Sequence, residues 1–504
     1  MPSLSAHRKP DDVVAPHMPS RDACDAARQS KDARFDGLFF TAVKTTGIYC
    51  RPVCPAPTPK AGNVDYYPSA ASAEAAGFRP CLRCRPELSP ADGGWRRGDD
   101  VVARAVRLVE AGMLDTASLA QLADRMHVGE RHLRRLFVSR LGTSPKQVQA
   151  TKRLLFAKQL LTETALPVTE IALASGFQSL RRFNDAFLSA YGLAPSRLRK
   201  TTGHTADGSA LNLRLVYRPP FEFGTTLAFL STRALAGLEH VDVEARTYRR
   251  LIDDRGAWLS VSEWGRNESA LRLTLHGVRA HAIPELVQRV RRMFDLDADM
   301  RAVHDVLRND PRLATTVTRH PGLRLAGGWD GLEMATRAIV GQQVSVAAAR
   351  TLATRLLQRT GTRLTDSPVE GLEWIFPTAE TLAAANLDGM GLTGRRVATL
   401  QTMASAVARG DATFDAHLPL NDFIERWCAL PGIGEWTAHY LALRALGHPD
   451  AFPAGDLVLR QQLQPGTLVS EATLRQRSKD WQPWRAYAAL HLWRAALPET
   501  GTSP

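Results

Sequence analysis

A chain that places Leu430-Pro431-Gly432-Ile433-Gly434 between two helical patterns has few ways to fold around them. The two glycines permit positive φ or a close backbone approach, so the segment reads as a tight hairpin. Glu435 to about Leu446 follows as a helix, and the hairpin then points free backbone N–H groups forward, which suits a phosphate. Beyond that helix stands Asp456, just ahead of a second helical pattern, Leu457 to Leu463. An N-cap place there would hold its carboxylate ionised. One unit therefore offers a phosphate clamp, through Gly432 and Gly434, and a fixed carboxylate. The plain alternative is a glycine-rich turn and a helix-capping acid.

At 504 residues the chain has room for roughly three or four domains. A hydrophobic share of 44% with 23% charged residues describes a soluble globular protein. The net charge of +13 favours an anionic partner, nucleic acid or a membrane surface. No apolar run reaches the ~18 residues of a membrane span, and the N-terminus has no apolar signal core, so a cytoplasmic protein is expected.

Four of the six cysteines crowd together as Cys50-x3-Cys54 and Cys81-x2-Cys84. In a reducing compartment such crowding means metal more often than disulfide, and four thiolates at this spacing can surround a tetrahedral Zn²⁺. Spacing alone is equally that of a zinc that only staples a small fold. Cys24 lies outside the motif, and Cys428 sits on an apolar face as a core residue.

The segment Leu430 to Asp456 resembles the helix-hairpin-helix DNA glycosylases, most closely the DNA-3-methyladenine glycosylase II (AlkA) type, and Asp456 falls on that family's catalytic acid. Further on, Trp481-Gln482-Pro483-Trp484-Arg485-Ala486-Tyr487 through Trp493 matches the family's C-terminal motif. The resemblance places Trp493, Trp436 and Tyr440 on aromatics of a base pocket; taken singly, each is equally a core aromatic. Ala335 to Ser345 resembles the family's RAI-x-GQ-x-VS helix, which makes Gln343 the residue that fills the gap left by a flipped nucleotide, or else a helix-connecting Gln. Trp436 stands where lyases of this superfamily carry a Schiff-base lysine, so a monofunctional enzyme is implied.

TTGIYCRPVCP and GFRPCLRC resemble the N-terminal domain of the Ada methyl-phosphotriester repair proteins, which implies that Cys50 accepts a methyl group from DNA. Methylation would cut the charge of a four-thiolate zinc centre from −2 to −1 and raise DNA affinity. Some members carry an Arg seven residues after the acceptor; Pro57 stands there, leaving Arg51, Lys60 or Arg79 to grip phosphate. Two helix-turn-helix patterns follow, with recognition helices near 129–138 and 179–188, and resemble the AraC-type DNA-binding domain. Their basic residues Arg131, Arg134, Arg135, Arg181 and Arg182 would reach bases or phosphates; the alternative is a solvated basic face.

The expected fold class is multidomain and mainly α. In order it runs a disordered tail 1–20, a small four-cysteine zinc domain 21–93, an all-α double helix-turn-helix domain 98–200 and a linker 201–210. A small α/β subdomain 211–295 then precedes an all-α helix-hairpin-helix glycosylase domain 296–504. No chemistry is read in the α/β segment. The resemblances imply alkylated double-stranded DNA, a promoter operator and RNA polymerase as partners of a monomer that meets no membrane. They imply hydrolysis of alkylated bases from DNA together with a methyl-triggered activator. The O6-methylguanine methyltransferase motif Pro-Cys-His-Arg is absent. The alternative is a regulator whose glycosylase domain only binds DNA.

Overall fold

The computed structural model describes residues 18–91, 101–110, 112–202, 210–265, 267–416 and 418–497. Most of the expected tail 1–20, the 93–100 linker and most of the 201–210 linker lie outside them. The chain forms two compact units, Met1–Arg218 with Trp264–Thr274 and Val278–Gln288, and Pro219–Glu263 with Leu275–Gly277 and Arg289–Pro504. No described helix is long and apolar enough to cross a membrane.

The first unit opens with helix α1 (Arg21–Ser30), capped by Ser20, beside a four-stranded sheet. The strands are β1 (Phe40–Val43), β2 (Ile48–Cys50), β3 (Val64–Tyr67) and β4 (Arg79–Pro80), in the order β3-β1-β2-β4. β1 pairs antiparallel with both β2 and β3, while β4 runs parallel to β2 with Tyr49 opposite Pro80. Helix α2 (Ala70–Ala75) connects β3 to β4. Cys24 is fully buried in the core beneath α1 with Phe39, Val64 and Tyr66, a packing residue as its position suggests.

Among the helices that follow are α3 (Val101–Glu110), α4 (Leu119–Arg125), α5 (Glu130–Leu141), α6 (Pro145–Glu163), α7 (Val168–Ala174) and α8 (Leu180–Tyr191). α5 and α8 repeat one design. Leu133, Phe137 and Leu141 are buried in the first, Phe183, Phe187 and Tyr191 in the second, at i, i+4, i+8. Each ends on a glycine in the left-handed region, Gly142 and Gly192. α6 joins the two and is bolted to the zinc domain by polar contacts. Lys158, 1% exposed, pairs with Glu87 at 2.7 Å and donates to the Cys81 carbonyl at 3.3 Å. Arg85 reaches Glu163 at 2.9 Å, and Glu74 accepts from Thr151 and Tyr49. Strand β5 (Ala210–Val216) extends this unit.

In the second unit, helix α9 (Phe223–Ser231) precedes an antiparallel meander of β6 (Glu239–Asp242), β7 (Thr247–Leu251) and β8 (Trp258–Glu263). The alternation at Ala270–Leu275 forms β9 (Ala270–His276), most of which belongs to the first unit. The helices that build the site are α10 (Gly331–Val340), α11 (Val346–Thr360), α12 (Gly394–Arg409), α13 (Leu420–Cys428), α14 (Glu435–Arg444), α15 (Leu457–Leu463), α16 (Glu471–Arg477) and α17 (Arg485–Ala495). α14 packs on α10 and α13, and α15 on α17, around one apolar core that includes Trp427, Leu441, Leu459 and Tyr487. A buried charge cluster, Glu239, Arg250, Glu333 and Arg337, holds α10 to the meander with opposite charges in contact.

Candidate active site and metal centre

The metal centre is assembled by local geometry. β2 ends at Cys50, and a turn closed by Cys54 N–H on the Arg51 carbonyl (3.2 Å) brings Cys54 back beside it. The parallel pairing of β4 with β2 continues as Cys81 N–H on the Tyr49 carbonyl (3.0 Å), which sets Cys81 level with Cys50. The four sulfurs lie within 4.8 Å of one another. A tetrahedral zinc–thiolate site with bonds of about 2.3 Å needs sulfur–sulfur edges of about 3.8 Å, so the donor set fits Zn²⁺. Cys81 and Cys84 are buried, whereas Cys50 and Cys54 are half-buried, leaving Cys50 the reachable member that also begins the motif. Arg51 is not available to grip phosphate. It is 8% exposed, ion-paired to Asp36, and donates its backbone N–H to Cys84 Sγ at 3.3 Å. Lys60 and Arg79 remain exposed on this domain.

Arg131, Arg134 and Arg135 lie on the exposed face of α5, and Arg181 and Arg182 on that of α8. Arg134 pairs with Glu130 at 2.6 Å and Arg135 donates to His132 at 3.0 Å, while Arg181 stands 4.0 Å from Asp185. Such solvated contacts are weak and compete little with a phosphate.

In the second unit the hairpin is as tight as its glycines allow. Gly432 has φ +86°, and a Cβ there would stand 2.0 Å from Thr399 Oγ1, so only glycine fits. Ile433 is buried beneath it, while Gly432 and Gly434 face outward. Gln342 Nε2 donates to the Gly432 carbonyl and to Thr437 Oγ1, both at 3.2 Å, and ties the turn after α10 to the hairpin. Next to it Gln343 is exposed with φ +54°, a left-handed conformation unusual for a residue with a side chain.

Asp456 caps α15, accepting Leu459 N–H on Oδ1 at 3.0 Å. Trp493 Nε1–H donates to the same oxygen at 3.1 Å, and Trp436 Nε1–H to Oδ2 at 3.0 Å. Three N–H donors therefore aim one half-exposed carboxylate, and Oδ2 keeps a lone pair for a reacting group. Trp436 and Tyr440 stack with centroids 5.2 Å apart and planes 8° apart, one turn apart on α14. Both are half-buried, as is Trp493. A cavity of about 430 Å³ is lined by Trp436 with Gly434, Glu435, His439, Gly455 and Arg475 among others.

Two further residues converge here from the α/β segment, whose sequence shows no chemistry. Phe229 on α9 and Arg233 just after it approach α14: the Arg444 guanidinium carbon lies 4.3 Å from the Phe229 ring centroid. Nothing local marks them, since they meet α14 only through the fold.

Family profiles cover about four fifths of the chain. "Metal binding domain of Ada" matches residues 23–87, "Helix-turn-helix domain" 122–201, "AlkA N-terminal domain" 212–330 and "HhH-GPD superfamily base excision DNA repair protein" 336–485. The chain is 37% identical over 483 residues to a "Probable bifunctional transcriptional activator/DNA repair enzyme AlkA" of Mycobacterium tuberculosis, covering 93% of this chain and 95% of that one. It is 34% identical over 285 residues to "DNA-3-methyladenine glycosylase 2" of Escherichia coli, covering 55% of this chain and 95% of that one. With the E. coli "Bifunctional transcriptional activator/DNA repair enzyme Ada" it shares 38% over 209 residues, 42% of this chain and 55% of that one. The Cys50, Cys54, Cys81, Cys84 cluster falls within the metal-binding profile and is a zinc site. The chain belongs to the family of bifunctional transcriptional activator/DNA repair enzymes of the AlkA type, an Ada-like zinc and helix-turn-helix module joined to a helix-hairpin-helix glycosylase.

Proposed function

We propose that this chain hydrolyses alkylated bases from double-stranded DNA at Asp456, accepts a methyl group from DNA phosphotriesters on Cys50, and activates transcription through its two helix-turn-helix units. The observation that carries the first activity is the aimed Asp456 carboxylate beside three half-buried aromatics and an outward-facing hairpin.

The target base must leave the stack before its sugar bond is reachable. Gly432 to Gly434 hold the phosphate backbone, and Gln343, pre-set beside the hairpin by Gln342, fills the vacated space. The base enters against Trp436, Tyr440 and Trp493. Alkylation at a purine ring nitrogen leaves a positive charge, so the base departs without protonation. As the N-glycosidic bond breaks, Asp456 stabilises the oxocarbenium-like sugar, and water adds at the anomeric carbon. Trp436 has no amine to form a Schiff base, so the product is an abasic site.

At the other centre, Cys50 Sγ attacks the methyl carbon of a methyl phosphotriester. The S–C bond forms, the O–CH₃ bond breaks, and a phosphodiester anion leaves. Zinc, when bound, keeps the four sulfurs as thiolates at neutral pH. The thioether is stable, so each chain acts once. The centre is then less negative, which favours DNA and the recognition helices α5 and α8. The output is recruitment of RNA polymerase at an operator by a monomer. Lys60 and Arg79 are the exposed cations that serve the phosphate grip on this domain.

The test is chromatography of freed bases from alkylated duplex DNA. Wild type releases 3-methyladenine and Asp456→Asn does not. Absence of release from both would leave the second unit as a DNA-binding platform.

A further inference from the structure

Several elements of the second unit meet at one residue. Gln342 lies in the turn after α10, and its Nε2 donates to the Gly432 carbonyl of the hairpin and to Thr437 Oγ1 of α14, both at 3.2 Å. A carbonyl can only accept, so the amide nitrogen of Gln342, not its oxygen, faces the hairpin. The backbone carbonyl of Gln342 accepts in turn from the Arg396 guanidinium, which comes from the first turn of α12. One turn further along α12, Thr399 fills the space that a Cβ on Gly432 would need. The Thr399 hydroxyl donates to the Arg395 carbonyl at 3.0 Å and is fixed within its own helix. α12 therefore touches both turns, and Gln342 joins them directly.

The next residue, Gln343, is exposed and holds φ +54°, a conformation that costs a residue with a side chain free energy. Such a conformation persists where its surroundings over-determine it. Gln342 supplies that constraint twice, through its backbone carbonyl to α12 and through its side chain to the hairpin and α14. A DNA backbone gripped at Gly432 to Gly434 then finds Gln343 already at a set distance and angle. Without these contacts the hairpin would still grip, but the side chain meant to occupy the vacated space would be free to swing away.

We propose that Gln342 and Arg396 are positioning residues for base extrusion, a brace that makes the Gln343 turn and the hairpin one rigid body. The inference rests on the glycosylase reading above. The brace acts through Gln343 and the hairpin, so its effect scales with the work of extrusion. It is large for a lesion that is stacked and paired, and small for one that is already unpaired.

The test uses the full chain in single-turnover release of 7-methylguanine from two duplexes, with the lesion opposite cytosine in one and in a one-nucleotide bulge in the other. Gln342→Met keeps the length of the side chain and loses both of its hydrogen bonds. The ratio of bulged to paired release should rise about tenfold over wild type, the size expected from roughly one to two neutral hydrogen bonds. Equal slowing on both duplexes leaves the ratio unmoved and overturns the proposal, since a merely structural role would act on both alike. If Gln342→Met does not fold, Arg396→Met gives the second reading. The same rise in the ratio is expected, with affinity for undamaged duplex and its salt dependence retained. An unmoved ratio with weaker affinity and a salt slope shallower by about one would make Arg396 a phosphate ligand and overturn the proposal. Release from neither duplex by wild type would instead sink the glycosylase reading, and this inference with it. That outcome is distinct from release from both with an unmoved ratio.

Discussion

Trp436 and Trp493 enter the site as aromatic faces, yet each also spends its indole N–H on Asp456. A donor-only N–H on each of two oxygens fixes the carboxylate plane, which no phenyl ring could do. Trp493→Phe keeps an apolar ring and removes one charge-assisted hydrogen bond, worth about 1.5–3 kcal/mol. Single-turnover base release should therefore fall by roughly 10- to 100-fold, with damaged-DNA affinity changing far less. Equal losses in both would show that the ring, not the N–H, matters. Gly432→Ala is the sharper structural probe. Its Cβ meets Thr399 at 2.0 Å in a φ +86° conformation, so the hairpin must shift. DNA binding should weaken, and Thr399→Ala should not restore it, because the left-handed backbone remains. What is legible at this scale is what is local. The sequence sets Asp456 at the start of a helix over Leu457–Leu463, and it caps that helix. Arg51 reads as a phosphate ligand because its burial against Asp36, fifteen positions earlier, leaves no trace in the sequence around it. Phe229 and Arg233 escape notice for the same reason, lying some two hundred positions before Tyr440.

At the scale of elements, α6 is the joint between the zinc domain and both helix-turn-helix units. Its Lys158 and the facing Glu87 are nearly inaccessible, so removing one partner strands a buried charge. Lys158→Met should cost about 3–5 kcal/mol in urea unfolding of this unit, and Lys158→Met with Glu87→Leu should recover most of it. A double variant as unstable as the single one would mean that packing of the lysine stem, not charge, holds the joint. The helical repeat behind α5 and α8 is readable from apolar spacing. The ends differ by a few residues: recognition helices expected near 129–138 and 179–188 run Glu130–Leu141 and Leu180–Tyr191, each stopped by glycine. α17 carries a different liability. His491 is fully buried, and burial, then His304 and His320, push its pKa down to about 3 from an ordinary 6.5. The fold binds it neutral, so its contribution is complete above pH 6.5 and is lost as pH falls toward 3, at up to about 1.4 kcal/mol per pH unit. Wild type should melt progressively lower across that window, and His491→Gln should flatten the dependence; an identical slope in both would assign it elsewhere.

For the molecule as a whole, four profiles in one chain and a zinc centre remote in sequence from Asp456 imply two chemistries with separate requirements. Removing zinc with a chelator should abolish methyl uptake by Cys50 and destabilise the zinc domain while base release persists. Loss of base release on chelation would tie the two centres together. The basic charge of +13 suits both proposed activities, since each would grip an anionic backbone, and high salt should weaken both. The most direct measurement counts both products on one preparation of alkylated duplex DNA, freed bases by chromatography and methylated Cys50 by peptide mass, for wild type and Asp456→Asn. The account predicts that wild type yields both and that Asp456→Asn yields methylated Cys50 with no freed base. Undiminished base release from Asp456→Asn, or Cys50 unmodified in both proteins, would contradict it.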